Sequence, residues 1–255
     1  MTNTKPCLMA YAKDNPYQEK MKLLSNHLGI PMTLEKPSEN DSRLFLCLGV
    51  DGLSLSKGKL RLHCDLTHML PRLKTNNLNG ELLVRAAKIK KSDLTDSFPT
   101  AIDATAGLGE DSLLLAAAGY RVQLYEYNPV IAALLKDALA RAKDIPELSS
   151  IVRRMQVFEG DSITMLSHLK ESPDLILLDP MFPARQKSGL VKKKFQLLQQ
   201  LEQPCTREED LLQAALNVRP GKIIIKRPAK GPYLAGKKPS YSIQGKGIRY
   251  DCILP

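Results

Sequence analysis

The sequence lacks any apolar run near the roughly 18–20 residues a helix needs to cross a bilayer, so no transmembrane segment is expected. Its first residues, MTNTKPCLMAYAKD, have neither a basic start followed by an apolar stretch nor a small-residue cleavage site, and no secretory signal is expected. Cysteine is sparse and unpaired. Cys7, Cys47, Cys64, Cys205 and Cys252 stand singly with no Cys-x-x-Cys among them, which speaks against a disulfide framework or a structural zinc site and for reduced thiols in a cytoplasm. His63 and His68 flank a short apolar stretch without an acidic or thiol partner at ligand spacing, so no metal is expected. Internal repeats and low-complexity segments are also missing.

What the chain has in excess is positive charge. Lys and Arg number 37 against 27 Asp and Glu, a net charge of +10. Such an excess attracts polyanions, and nucleic acid is the commonest one inside cells. The rest of the composition, 43% hydrophobic and 25% charged, is ordinary for a globular protein. A length of 255 residues suits one large domain or a main domain with a smaller companion.

Two textures follow one another. Residues 1–80 alternate short β-type runs (CLMAYA, MTLEK, RLFLCLGV, LSLSK, LRLHCDL) with turns, and Asp51-Gly52 signals a hairpin. A helix fits Tyr17 to His27 behind Pro16 and ahead of Gly29. This predicts a small N-terminal α/β or α+β subdomain, joined by a helix over Gly80–Lys91 to a main domain within residues 81–255. From Pro99 the pattern becomes strand, turn, helix, repeated. The expected strands are TAIDAT, RVQLYE, MQVFEG, DLILLD and KIIIKR. Helices are expected over Asp111–Ala118, from Asn128-Pro129 through IAALLKDALARA, over Ser162–Lys170, and behind a Thr206/Glu209 capping box. Strand cores such as LILL and IIIK are apolar throughout, as a parallel sheet covered on both faces requires. YSIQGKGIRYDCIL reads as a terminal pair of strands. The fold class is therefore α/β, a Rossmann-like, mostly parallel sheet with an antiparallel terminal hairpin.

The chemistry concentrates where strands end. DATAGLGEDS places Asp103 at a strand end, then Gly107 and Gly109 in a tight turn, then a helix. A dinucleotide fingerprint would have a third glycine where Ser112 stands, and Asp103 would repel a pyrophosphate. It suits a cationic amino acid, and S-adenosylmethionine carries both an ammonium and a sulfonium. Glu126 ends the second strand, where a carboxylate can accept two ribose hydroxyls. Asp161 and Ser162 follow the third strand and suit an adenine amino group and ring. Asp179 ends the fourth, so four consecutive strand ends are acidic and should face one crevice.

The fourth strand runs into Asp179-Pro180-Met181-Phe182-Pro183. This segment resembles the (Asp/Asn)-Pro-Pro-(Tyr/Phe) motif of methyltransferases that act on exocyclic amines of nucleobases. An aniline-like nitrogen spreads its lone pair into the ring. A carboxylate and the Pro180 carbonyl, both accepting its N–H bonds, would favour a localised lone pair, while Phe182 would stack on the base. Arg185, Lys187, Lys192, Lys193 and Lys194 follow at once; Lys222, Lys226, Arg227 and Lys230 accompany the fifth strand, and Lys237, Lys238 and Lys246 lie near the terminal hairpin. Many of these should line the active rim and meet phosphates, with Lys226 and Arg227 expected among the RNA contacts.

Taken together, DATAGLGEDS, E-x-NPVIAALL-x-D, LLDPMFPARQKSGLVKKK and IIIKRP resemble the ribosomal RNA small subunit methyltransferase J family, over about Pro99 to Arg227, with looser matches in the first 80 residues. The resemblance implies a bacterial cytoplasmic enzyme that uses S-adenosylmethionine to methylate N2 of a guanine in 16S ribosomal RNA. It implies cofactor contacts at Glu110, Asp111, Glu126, Tyr127, Asp161, Ser162 and Asp179. Relatives often carry Arg at positions 110 and 127, so Glu110 and Tyr127 are expected to contribute through backbone or stacking. Three other possibilities stand beside this one: an adenine-N6 methyltransferase of DNA or RNA, an RNA-binding assembly factor without catalysis, and a dehydrogenase.

Overall fold

The structure, a computed structural model, describes residues 8–13, 15–89, 98–180, 193–201 and 205–255. A first sheet of five strands comes from the N-terminal third: β1 (Leu8–Ala12), β2 (Met32–Thr33), β3 (Leu44–Gly49), β4 (Gly52–Lys57) and β5 (Leu60–His63), in the order β2-β1-β3-β4-β5. β1 runs parallel to β2 and β3, and β3-β4-β5 form an antiparallel meander. The expected hairpin at Asp51-Gly52 forms with Gly49 opposite Gly52. α1 (Asn15–Leu28) packs on β1 and ends before Gly29, which takes φ +63°.

The next stretch departs from expectation. β5 stops at His63 because Asp65 turns its carboxylate onto Thr67, accepting from the amide at 2.9 Å and the hydroxyl at 2.8 Å, and so caps a 3₁₀ turn over Leu66–Met69. α2 (Leu70–Leu73) and α3 (Thr75–Leu78) follow, then α4, which spans only Leu82–Ala87 of the helix expected over Gly80–Lys91. Residues 90–91 of that expected helix lie outside the described residues.

The second sheet has seven strands. In chain order the elements are β6 (Thr100–Asp103), α5 (Glu110–Ala117), β7 (Arg121–Glu126), α6 (Pro129–Ala142), α7 (Pro146–Val152), β8 (Met155–Glu159), α8 (Ser162–Ser167), β9 (Leu175–Leu178), α9 (Lys193–Leu201), α10 (Glu208–Asn217), β10 (Lys222–Pro228), β11 (Tyr241–Gln244) and β12 (Ile248–Ile253). The sheet order is β11-β12-β10-β9-β6-β7-β8, parallel from β10 through β8, with β12 antiparallel to both β10 and β11. This is the mostly parallel sheet with an antiparallel end that the strand pattern predicts.

Alternation along the central strands divides the apolar core. Leu175, Leu177 and Ile224 join one cluster, while Ile176, Leu178, Ile223 and Ile225 join the other, so both faces of the sheet are covered. The first cluster continues into Leu44, Leu46, Leu55 and Leu62 of the N-terminal sheet, and the two sheets share that core. The hairpin is also pinned to α6: Leu53 donates its amide to Asp137 at 2.9 Å, and Arg141 donates to the Cys64 carbonyl at 2.5 Å and to Asp137 at 2.9 Å.

Helix starts divide into two kinds. Asn128 caps α6 as expected, accepting from the amides of Val130 and Ile131, with Pro129 behind it. The Thr206/Glu209 capping box does not form. α10 begins one residue later with Arg207 at its cap position and no side-chain cap bond, and Arg207 instead reaches Asp210 at 2.9 Å. Lys222 opens β10 at the end away from the acidic strand termini. It is buried and donates at 2.9 Å to the carbonyls of Ala86 and Lys88, so it ties α4 to the sheet and is not on the expected basic rim.

Candidate active site

β9, β6, β7 and β8 are consecutive neighbours in the sheet, so their carboxyl ends, with Asp179, Asp103, Glu126 and Asp161, lie side by side. The four carboxylates do different work there. Asp103 is 2% exposed; Ser112 Oγ donates to it at 2.5 Å and the Thr105 amide at 3.1 Å. It therefore holds the turn against the first residues of α5 from inside. Burial pushes its carboxyl up to about 7, against the pull of those hydrogen bonds, and Asp111 and Asp179 push the same way.

Glu126 is buried at the end of β7 and accepts the Gly107 amide and the Asn128 amide, each at 2.8 Å. It thereby links the glycine turn to the start of α6. Gly107 (φ +53°) has nothing within 4 Å of where a Cβ would stand, so the turn is open on that side. Gly109 (φ +77°) is closed: a Cβ would come within 2.7 Å of Leu135 Cδ1. One glycine keeps a space free for a ligand, and the other lets the chain pass close to α6.

Asp161 caps α8, accepting from Ile163 N at 3.3 Å and Thr164 Oγ1 at 3.1 Å, and Arg207 reaches it at 3.5 Å. Ser162 is buried and donates its hydroxyl to the Ala104 carbonyl, clasping the ends of β6 and β8. Glu110 and Tyr127 are the more exposed of the expected contacts. Glu110 pairs with His68 at 3.1 Å, and the Tyr127 ring is 76% exposed just past Glu126.

Asp179 follows β9. Its amide donates to Thr105 Oγ1 at 2.6 Å, which locks the strand end to the glycine turn, and its side chain is 39% exposed. The walls of the crevice nevertheless strip water from it and raise its pKa, with Lys226 pulling it back. Pro180 is buried beside it. Phe182, Arg185, Lys187 and Lys192 lie outside the described residues. Lys193 and Lys194 begin α9.

Two expected RNA contacts are corrected. Lys226 Nζ lies 2.7 Å from Asp111 Oδ2 and 2.9 Å from Asp179 Oδ2, inside the site. Burial would lower its pKa, but the two carboxylates outweigh that and hold the ammonium charged. Arg227 is 1% exposed, because alternation along β10 turns it to the opposite face, where it donates to Pro232 O at 3.0 Å and to Glu208 at 3.4 Å. Neither presents a cation to RNA. Sequence reasoning also passed over Thr105 and Ser112 as members of the site. The hydroxyls at the ends of DAT and GEDS were the available signal.

The donor set fits S-adenosylmethionine. Asp111 and Asp179 offer carboxylates to a cationic amino acid, Glu126 offers acceptors at the position for ribose hydroxyls, and the Gly107 side leaves room for the ligand. Among the described residues, no cluster of three or more His, Cys, Asp or Glu could hold a metal, and no helix is long and apolar enough to cross a membrane.

The comparisons agree with this chemistry. The family model described as "Putative SAM-dependent methyltransferase" matches residues 32–255. Ribosomal RNA small subunit methyltransferase J of Pseudomonas aeruginosa is 34% identical over 98% of this chain and 95% of its own length. The enzyme of the same name from Thioalkalivibrio sulfidiphilus is 37% identical over 94% of each chain. Among solved structures, a SAM-dependent methyltransferase from Neisseria gonorrhoeae aligns with a TM-score of 0.75 at 28% identity, covering 96% of both chains. A crevice built for S-adenosylmethionine on a Rossmann-like sheet, matched along nearly its whole length by these relatives, identifies the chain as a member of the ribosomal RNA small subunit methyltransferase J family of S-adenosylmethionine-dependent methyltransferases.

Proposed function

We propose that the chain methylates the exocyclic N2 of a guanine in 16S ribosomal RNA, presented as RNA or within the small ribosomal subunit, in the cytoplasm. The observation that carries this reading is Asp179-Pro180 at the end of β9, with the Asp179 carboxylate partly open and beside Asp111 and Asp103. The cofactor supplies an electrophilic methyl group on a sulfonium. Everything else is positioning by the protein. Asp179 and the Pro180 carbonyl accept the two N–H bonds of the amine, Phe182 stacks on the base, and the reacting nitrogen is held in line with the methyl group. Asp103, Gly107, Gly109, Glu110, Asp111, Glu126, Tyr127, Asp161 and Ser162 form the cofactor's surroundings. Glu126 accepts from ribose beside its bonds to the Gly107 and Asn128 amides, and the exposed Tyr127 ring supplies a stacking face.

Arg185, Lys187, Lys192, Lys193 and Lys194 meet the RNA backbone. Residues 1–80 act as a companion subdomain to the catalytic residues 81–255 and help to grip RNA. The names of the relatives support the substrate class, and the net charge of +10 supports a polyanionic partner. Incubating the protein with labelled S-adenosylmethionine and either 16S RNA or small subunits, then digesting to nucleosides, tests the proposal. N2-methylguanosine is the expected product. N6-methyladenosine would transfer the assignment to an adenine enzyme, and an absence of methylated product on both substrates would leave an assembly factor.

A further inference from the structure

β10 lies parallel to β9 with Ile225 opposite Leu178, so the next residues, Lys226 and Asp179, stand side by side where the two strands end. On its other flank Lys226 faces Tyr250 of β12. The side chain is three-quarters buried and its Nζ bridges two carboxylates, Asp111 at 2.7 Å in the first turn of α5 and Asp179 at 2.9 Å. The lysine thus ties the cofactor turn to the strand end that carries the amine acceptor. A phosphate contact would leave the ammonium in solvent; this geometry commits it to the site.

We propose that Lys226 is a positioning residue for methyl transfer, fixing the Asp179 carboxylate beside the cofactor turn and keeping it unprotonated so that it can take a proton from the target amine. The proposal rests on the exocyclic-amine reading given above. In the step it serves, the N2–carbon bond forms as the carbon–sulfur bond breaks and sulfur keeps the electron pair. One N–H proton then passes from the nitrogen to Asp179, and from there to water through the exposed side of that carboxyl. A protonated Asp179 could not take the proton, and its neutral carbonyl oxygen would be a weaker acceptor for the N–H bond.

The groups that face this pair decide how the protonation responds. Asp111 from α5 raises the Asp179 pKa and Asp103 from β6 interacts with it in the same sense; Lys226 and Arg227 from β10 lower it. Tyr250 from β12 stays neutral beside Lys226, its pKa raised by burial, and Arg72 lies within electrostatic reach of Asp111 and Tyr250. Removing Lys226 takes away the nearest positive charge, so the Asp179 pKa must rise. Removing the charge of Asp111 must lower it.

The test is the pH profile of single-turnover methyl transfer to RNA, with S-adenosylmethionine affinity measured alongside. Lys226→Met should move the acid limb up by at least about one pH unit, cut the rate below both limbs by at least about 10-fold, and recover much of the rate in alkali. Lys226→Arg, which keeps the charge, should hold the wild-type limb. Asp111→Asn, an isosteric change that leaves Lys226 to Asp179 alone, should move the limb the other way, to lower pH. This variant keeps the test open if Lys226→Met does not fold. An equal loss of rate at every pH in Lys226→Met, or an unshifted or upward-shifted limb in Asp111→Asn, overturns the proposal. A wild-type protein that makes no N2-methylguanosine refutes the substrate reading instead, so the two failures are distinguishable.

Discussion

Burial pushes the Asp103 carboxyl up to about 7, whereas an unfolded chain ionises an aspartate near ~4. Between those values the folded protein holds one proton more than the unfolded one, so this residue makes stability fall as pH rises from about 4 through 7. Asp103→Asn should remove that fall. Urea denaturation across this range should give a wild-type-minus-variant difference that changes by on the order of 3 kcal/mol, and parallel curves would show that Asp103 is ionised in the fold. The same residue shows what a single position in a sequence reveals. Its place at a strand end before a glycine turn was legible. Its burial and its bond to Ser112 were not, because both depend on how α5 packs back onto β6. Lys226 and Arg227 were misread for a related reason. Adjacent charges in KIIIKRP look alike in sequence, but the twofold repeat of the strand sends one into the crevice and the other to the far face of the sheet.

The glycine turn and α5 form one unit whose two glycines should respond differently. Gly109→Ala forces a positive φ on alanine and drives its methyl into Leu135, costing roughly 2–4 kcal/mol of stability. Gly107→Ala meets no neighbour, so it should cost only about 1–2 kcal/mol. Its methyl would instead stand in the open side of the turn and lower cofactor affinity by at least ~10-fold. Calorimetric binding and thermal melts on both variants distinguish them; equal affinity losses at equal stability would show that the turn does not border the ligand. Arg227→Ala, which leaves Glu208 and Pro232 without their partner, should destabilise β10 by roughly 3 kcal/mol. Strands and long helices were legible because their periodicity carries the packing. The short turns over Leu66–Leu78 and the start of α10 were not, since local side-chain bonds set them: Asp65 captures Thr67, and Arg207 is drawn to Asp210 and Asp161.

Across the molecule, the net charge of +10 predicts RNA affinity that falls steeply with salt. Replacing Lys192, Lys193 and Lys194 with alanine should reduce the slope of log affinity against log salt by about 2–3 if all three meet phosphates. Arg227→Ala should leave that slope unchanged in the folded fraction, because its cation is buried. The two sheets share one apolar core, a feature hidden in the sequence, where the change of texture near residue 80 reads as a boundary. The chemistry assigned to this molecule comes down to an amine held at Asp179 and Pro180. It is tested by comparing methyl transfer to a 16S RNA fragment carrying guanine at the target position with transfer to the same fragment carrying inosine, which lacks N2. Labelling of the guanine fragment and none of the inosine fragment is the predicted result. Comparable labelling of both would contradict it.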